Sequence, residues 1–245
     1  MNQNQELAVA QMRRAVHTLG SSTEGYGDIT LIRFLVARSF DIDKAAKMFV
    51  QWQNWRTSFV PLNYIPQSEI TNDLQHNKIF LQGLSAKGNP LVIVKVHRHI
   101  PNKDQLQFKK FVVHLLDKTI ASGFRGKEIG NEKLVAVLDL QKLAYKNIDV
   151  RGMITGFQFL QDYYPERLAK CYLLHMPGFF VRVWRLVSRF LEKATLEKIV
   201  IASNEEERRA LIRDIGVDAL PEEYGGQAKL TLLQDFELKP LEEKL

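Results

Sequence analysis

The 245-residue sequence contains one cysteine, Cys171, so no disulfide forms within the chain and the fold rests on packing and hydrogen bonds. That cysteine lies in the apolar run CYLL, where it reads as a buried, inert thiol in a reducing compartment. No apolar run approaches the ~20 residues needed to span a bilayer. The opening MNQNQELAVAQMRR has neither a basic start nor an apolar block, so no signal peptide is expected. An N-terminal Met-Gly and a C-terminal prenylation box are likewise missing. These absences predict a cytoplasmic protein that meets membranes only peripherally and transiently. Enzyme signatures are also lacking. No G-x-G-x-x-G follows a strand, GFRGK at 123–127 is too short for a P-loop, and no G-x-S-x-G elbow occurs. Internal repeats and low-complexity segments are absent too.

What remains is an ordinary globular composition, 45% apolar and 25% charged, long enough for one large core plus a small satellite. The net charge of +6 suits an anionic surface. The basic residues are scattered, with no finger, basic zipper or ribonucleoprotein motif, so acidic lipid is expected rather than nucleic acid. His97 and His99 stand at a spacing that would place both on one face of a strand, where they could hold a metal. No carboxylate or thiol accompanies them in sequence, so they read as packing or surface histidines and no metal is expected. Asp139, at the end of VLDL, could serve as an acid, but a carboxylate that satisfies loop amides is the reading preferred. No catalytic residue is assigned.

The pattern along the chain is α/β. The first 60 residues read as helices, with Leu31, Phe34 and Leu35 on one stripe and Ala45, Met48, Phe49, Trp52 and Trp55 on another. Asp28 and Asp41 precede these stripes as candidate caps. After Pro66, strand-length runs at 90–97, 133–140, 170–176 and 198–202 alternate with helical patterns at 105–121, 150–163, 179–191 and 205–215. Such alternation predicts a largely parallel sheet with helical crossovers. KGNP at 87–90 is turn chemistry feeding a strand. The acidic tail from 230 to 245 would drape over the body or fray.

The segment 179–193 divides into two faces at 100° per residue. Phe179, Phe180, Val183 and Trp184, continued by Val187, Phe190 and Leu191, fall on an apolar arc. Arg182, Arg185, Arg189 and Lys193 fall on a basic one. An amphipathic helix packed on a sheet accounts for the apolar arc. The almost purely cationic opposite face suits anionic lipid headgroups as well.

Three ordered blocks, LIRFLVARSFDIDKAAKMFVQWQNWR from Leu31, YYPERLAKCYLLHMPGFF from Tyr163 and LPEEYGGQ from Leu220, resemble the CRAL-TRIO lipid-binding family. The likeness is to its phosphatidylinositol/phosphatidylcholine transfer branch and spans about residues 28 to 228. A weaker block, GLSAKGNPLVIVKV from Gly83, matches a strand-opening turn. The resemblance implies a helical domain at 1–65, a lipid-binding domain at 66–229 and a tail at 230–245. It also implies a mixed sheet that floors an apolar lipid pocket, with the segment from Phe179 as a mobile gate. The family's inositol-phosphate residues carry over to Arg38, Glu166 with Arg167 beside it, Thr195 and Lys198. Cations would meet the phosphate and a carboxylate would accept from inositol hydroxyls. The plainer alternative is that Glu166 and Lys198 simply pair with each other.

Three positions depart from the branch: Ser39 replaces a frequent basic residue, and Leu134 and Ala136 replace small hydroxyl residues associated with phosphatidylcholine. The expectation is a monomer without cofactor that binds and transfers phosphatidylinositol between membranes or presents it to a lipid kinase. The alternatives are a carrier of a sterol, tocopherol-like or retinoid ligand, and a membrane-docking module that transfers nothing.

Overall fold

The computed structural model describes residues 1–124 and 133–238. Most of the GFRGK segment and the end of the acidic tail therefore lie outside the described residues. Three N-terminal helices come first: α1 (Gln3–Thr18), α2 (Asp28–Ala37) and α3 (Ile42–Phe59). The predicted stripes form their shared core, where Leu31, Phe34, Leu35, Ala45 and Phe49 are fully buried. Asp41 caps α3 by accepting from the Lys44 amide at 3.0 Å. Asp28 does not cap α2. Gly27 occupies the cap position, and Asp28, the first helical residue, pairs with Arg13 at 2.6 Å. Its charge there still favours the positive end of the helix dipole.

A short helix α4 (Thr71–Leu74) leads into strands β1 (Ile79–Leu84) and β2 (Pro90–Lys95). Then follow α5 (Gln105–Ala121), β3 (Leu134–Asp139), α6 (Val150–Tyr163), β4 (Leu168–Leu174), α7 (Phe180–Val187), α8 (Lys193–Leu196), β5 (Ile199–Ala202) and α9 (Glu205–Ile215). Among the described residues the sheet has five strands in the order β1-β2-β3-β4-β5, with β1 antiparallel to β2 and the others parallel. This is the largely parallel sheet that the alternation predicts, and it is mixed as the resemblance implies. β1 was not among the expected strands. It pairs with β2 through the Ser85–Asn89 turn, where Gly88 takes a positive φ of 79°. The start of the tail is drawn in as well. Leu81 donates to Thr231 O and Leu233 to Ile79 O, so this segment lines the outer edge of β1 and buries Leu233.

The histidines fall differently from expectation. β2 ends at Lys95, whose register partner Asp139 is the last residue of β3, so no ladder continues beyond it. Val96–Arg98 is a 3-10 turn, and His97 and His99 do not share a strand face. Asp139 acts structurally, as the preferred reading held. It accepts from the Gln141 amide, His175 Nδ1 and Tyr224 OH, which joins β3, the end of β4 and the LPEEYGG block. That block packs tightly, because a Cβ on Gly226 would come within 1.9 Å of the Leu220 carbonyl oxygen.

The strands show period-two burial to different sides of the sheet. Leu91, Ile93, Val135, Val137 and Tyr172 pack with α9 on one side. Val92, Leu134, Cys171 and Leu173 face the other, toward α5, α6 and α7. The helices α5, α6 and α7 are the crossovers between successive parallel strands, and all three cover this second face.

Candidate functional site

The second face of the sheet and its covering helices enclose an apolar cavity of about 220 Å³. Its floor is Val92, Val94, Leu134, Ala136, Leu138 and Leu173, and its roof includes Phe111 on α5, Met153 on α6 and Phe180 with Trp184 on α7. Cys171 also lines it, and burial raises its thiol pKa to about 12, so it stays protonated and inert.

At the amino-terminal edge of the parallel strands lies a polar cleft of about 140 Å³ that shares Leu160 and Leu168 with the cavity. All five residues that the resemblance carries over, Arg38, Glu166, Arg167, Thr195 and Lys198, line this cleft. They arrive from three directions. Arg38 ends α2, Glu166 and Arg167 form the corner before β4, and Thr195 and Lys198 come from α8 and the residue before β5. Lys198 Nζ lies 3.3 Å from both Glu166 oxygens. Glu166 has a positive φ of 55°, a left-handed conformation uncommon outside glycine, which turns its carboxylate into the cleft corner. The Thr195 hydroxyl makes no hydrogen bond among the described residues, although the residue is buried.

Lys133 was not among the expected site residues. Its Nζ is 3.3 Å from Glu166 Oε2. The signal was present in the strand register: Lys133, Arg167 and Lys198 each stand immediately before a parallel strand, so the sheet aligns them along one edge. Arg33 on α2 does not line the cleft but is buried against its corner, with Nη1 3.4 Å from the Pro165 carbonyl. The Glu166 corner is braced from below. Tyr164 OH donates to Asp117 at 2.8 Å, Asp117 pairs with Arg56 of α3 at 2.8 Å, and burial pushes the Tyr164 phenol pKa upward. Trp55 stacks on Tyr163 with ring centroids 3.9 Å apart, so α3 packs on the cavity-bearing domain as well as on its own bundle.

The expected single helix at 179–193 is broken. α7 ends at Val187, Ser188–Phe190 is a 3-10 turn, and Leu191 is extended before α8 begins at Lys193. Phe180, Val187 and Leu191 are buried, while Val183 and Trp184 are half-buried against the cavity wall. Phe179 is half-buried and packs on Tyr145 with centroids 4.7 Å apart. Phe190 departs from the expected apolar face and is 49% exposed, beside the equally exposed Leu186. The 3-10 turn at Ser188–Phe190 departs from the 100° per residue of the α-helix and takes Phe190 off the packed stripe. Arg182, Arg185, Arg189 and Lys193 are exposed.

The cavity has a second polar end, at the carboxyl-terminal edge of the strands. Lys78, His99, Asn147 and Asp149 line it there. Lys78 Nζ contacts Asp73 Oδ1 at 2.5 Å and His99 Nδ1 at 2.9 Å, and His99 Nε2 lies 3.0 Å from Asp149. Burial lowers the Lys78 pKa, and Asp73 acts against that shift. The hydrogen bond from His99 and the Gly152 amide hold the Asp149 carboxyl below its ordinary range against burial. No group of three metal-ligating side chains occurs among the described residues, and no described helix is long and apolar enough to cross a membrane.

Comparison with known proteins bears on family and fold. The CRAL/TRIO domain profile matches residues 74–226 and the CRAL/TRIO N-terminal domain profile matches residues 8–51. The chain is 27% identical over 248 residues to the Sec14 cytosolic factor of Schizosaccharomyces pombe, covering 94% of this chain and 84% of that protein. It is 25% identical over 247 residues to the phosphatidylinositol/phosphatidylcholine transfer protein SFH9 of Arabidopsis thaliana, covering 93% of this chain and 42% of the relative. The crystal structure of Sfh5 superposes with a TM-score of 0.74 at 20% identity, over 98% of this chain and 94% of that one, a likeness of fold.

Proposed function

The chain belongs to the CRAL/TRIO family, and from that premise we propose that it binds phosphatidylinositol and moves it between membranes. One observation carries this reading: an apolar cavity adjoins, at Leu160 and Leu168, a cleft lined by Arg38, Arg167, Lys198, Glu166 and Thr195. The two environments match the two halves of one amphiphile. Cations and the Thr195 hydroxyl meet the phosphate, and Glu166, tethered by Lys133 and Lys198, accepts from inositol hydroxyls. Residues 1–65 act as a helical bracket for Arg38, residues 66–229 hold the lipid, and residues 230–245 are a tail whose described part covers the edge of β1.

The mechanism needs no covalent step. Leaving about 30 acyl methylenes in water, at about 0.8 kcal/mol each, costs on the order of 25 kcal/mol, so release occurs only where a bilayer replaces water. At about 220 Å³ the cavity is smaller than the ~300–1,000 Å³ of ordinary small-molecule sites, so α7 must swing outward to admit two chains. Its exposed arginines and the overhanging Leu186 and Phe190 engage an anionic membrane from the cytoplasm as it opens. The protein then works as a monomer that exchanges lipid or presents it to a lipid kinase. Leu134 and Ala136 on the cavity floor carry no hydroxyl, which disfavours phosphatidylcholine and favours, as the competing reading, another apolar ligand.

Transfer of labelled phosphatidylinositol and phosphatidylcholine between vesicles, measured side by side, tests the proposal. Transfer of phosphatidylinositol alone is expected. Transfer of neither would overturn it in favour of the competing ligand class.

A further inference from the structure

Ser188 stands in the middle of the face that α7 offers to a membrane. It ends α7, and its hydroxyl donates to the Arg185 carbonyl at 3.1 Å on the protein surface. Leu186 and Phe190, two residues to either side, are exposed apolar side chains. Arg182, Arg185, Arg189 and Lys193 are exposed along the same segment. The three arginines pair with no carboxylate among the described residues, so nothing within the fold accounts for their grouping.

The spacing around Ser188 is distinctive. Arg185 lies three residues before it, and no other serine or threonine in the sequence has an arginine or a lysine at that spacing. Arginine-directed serine kinases read this arrangement, because carboxylates beside their active site pair with a guanidinium that far along an extended substrate. The end of α7 must therefore unwind to be read, and the helix already gives way there. Ser188–Phe190 is a 3-10 turn and Leu191 is extended. The buried Val187 and Leu191 hold the turn down. Both come free in the outward swing of α7 that lipid entry requires.

A phosphate on this hydroxyl acts on the docking face directly. Ser188 Oγ attacks the γ-phosphorus of ATP, the new Oγ–P bond replaces the bond to ADP, and the hydroxyl proton passes to the kinase's base. The product carries about −1.5 to −2 charges at pH 7. It stands at the negative, C-terminal end of the α7 dipole, so the helix gives it no favourable partner. Arg185, one turn back, and Arg189, the next residue, are the cations within its reach. These are the same side chains that would meet an anionic membrane. The phosphate thus cancels about two of the four basic charges on the segment. It also sets a dianion between Leu186 and Phe190, where entering the bilayer would strip it of water.

We propose that Ser188 is a phosphorylation site for an arginine-directed serine kinase, and that the phosphate releases α7 from anionic membranes. This inference rests on α7 being the docking face but not on which lipid the cavity holds. Lipid exchange would then be regulated at the membrane encounter, with the cleft and the cavity left untouched.

The test incubates the full chain with ATP and the catalytic domain of calcium/calmodulin-dependent protein kinase II, and locates the phosphate by mass spectrometry. Modified and unmodified protein are then sedimented with phosphatidylcholine vesicles that contain or lack phosphatidylserine. Phosphate should appear on Ser188 and weaken binding to the phosphatidylserine vesicles by about 30-fold, as two charges near the surface would. Ser188→Ala should take no phosphate there and bind like the unmodified protein, whereas Ser188→Glu, with a single charge, should bind about fivefold more weakly. A Ser188 left unmodified by the kinase would overturn the proposal. So would modified protein that binds within about twofold of unmodified, or that loses binding equally on vesicles without phosphatidylserine. Arg185→Ala/Arg189→Ala, run alongside, tells the two readings apart. If it weakens binding and the phosphate does not, the phosphorylation switch alone falls; if neither does, the docking face falls with it.

Discussion

Replacing Lys198 by methionine separates a headgroup site from a mere surface ion pair. Lys198 reaches both Glu166 oxygens at 3.3 Å, and Lys133 holds Glu166 Oε2 at the same distance. Lys198→Met therefore leaves Glu166 with a cationic partner, and the lost pair, being partly exposed, costs at most about 1 kcal/mol of stability. For a chain of this size that lowers Tm by about 2–4 °C. The cost to phosphatidylinositol loading is larger. A charge-assisted hydrogen bond to phosphate contributes about 1.5–3 kcal/mol, so loading should weaken by about 10- to 150-fold. Glu166→Gln should weaken it comparably by removing the acceptor for inositol hydroxyls. The assay is equilibrium loading of radiolabelled phosphatidylinositol from vesicles, with a thermal melt of each variant alongside. Loading within about twofold of wild type in both variants, a gap smaller than one such bond supplies, would refute the headgroup assignment. Restored loading in Glu166→Gln/Lys198→Met would equally refute it, because it would reduce the two residues to each other's partners.

Arg185→Ala/Arg189→Ala should weaken sedimentation with anionic vesicles by about 30-fold, at about 1 kcal/mol per charge near the surface. That difference should fade in 1 M salt, where the Debye length is about 3 Å, and unchanged binding at low salt would remove α7 from the docking face. Asp139 gives a pH prediction. Burial would raise its carboxyl pKa, but His175, the Gln141 amide and Tyr224 outweigh burial and lower it. The stability it contributes is present above the ordinary carboxylate pKa of about 3.9 and is lost as pH falls through its lower folded value. Asp139→Asn should thus melt lower than wild type near neutrality, with the difference shrinking below about pH 4.

The elements most readable from sequence were those decided by local chemistry. α5, α6 and α9 fall where the helical period places them, and in the structure Asp104, Asp149 and Asn204 cap them. The inner parallel strands were readable because both faces are largely buried, which favours apolar runs, and the edge strand β5 was readable from its short apolar run although Ile201 is exposed. β1 was not, because Gln82 and Gly83 interrupt its apolar run and its place depends on the hairpin to β2 and on a segment about 150 residues later in the chain. Trp55 read as one more residue of a helical stripe, but its stacking on Tyr163 is a contact between distant segments that no period encodes. In the cleft, the resemblance carried the residues that stand next to recognisable motifs. Lys133 escaped because only the parallel register brings it to Glu166.

The pairing of residues 231–233 with β1 bears on how this chain is made. Because the strands lie in the sheet in their order of synthesis, each can dock onto the one before it as it leaves the ribosome. The outer edge of β1 is different: it forms early, yet the segment that covers it emerges only after every other strand of the sheet. Until then the nascent sheet presents a row of unpaired backbone groups, the kind of template on which other extended chains add. A chain that stops short of Thr231 would keep that edge open for good, with its cavity and cleft otherwise built, and would be lost to aggregation rather than to any defect in lipid binding.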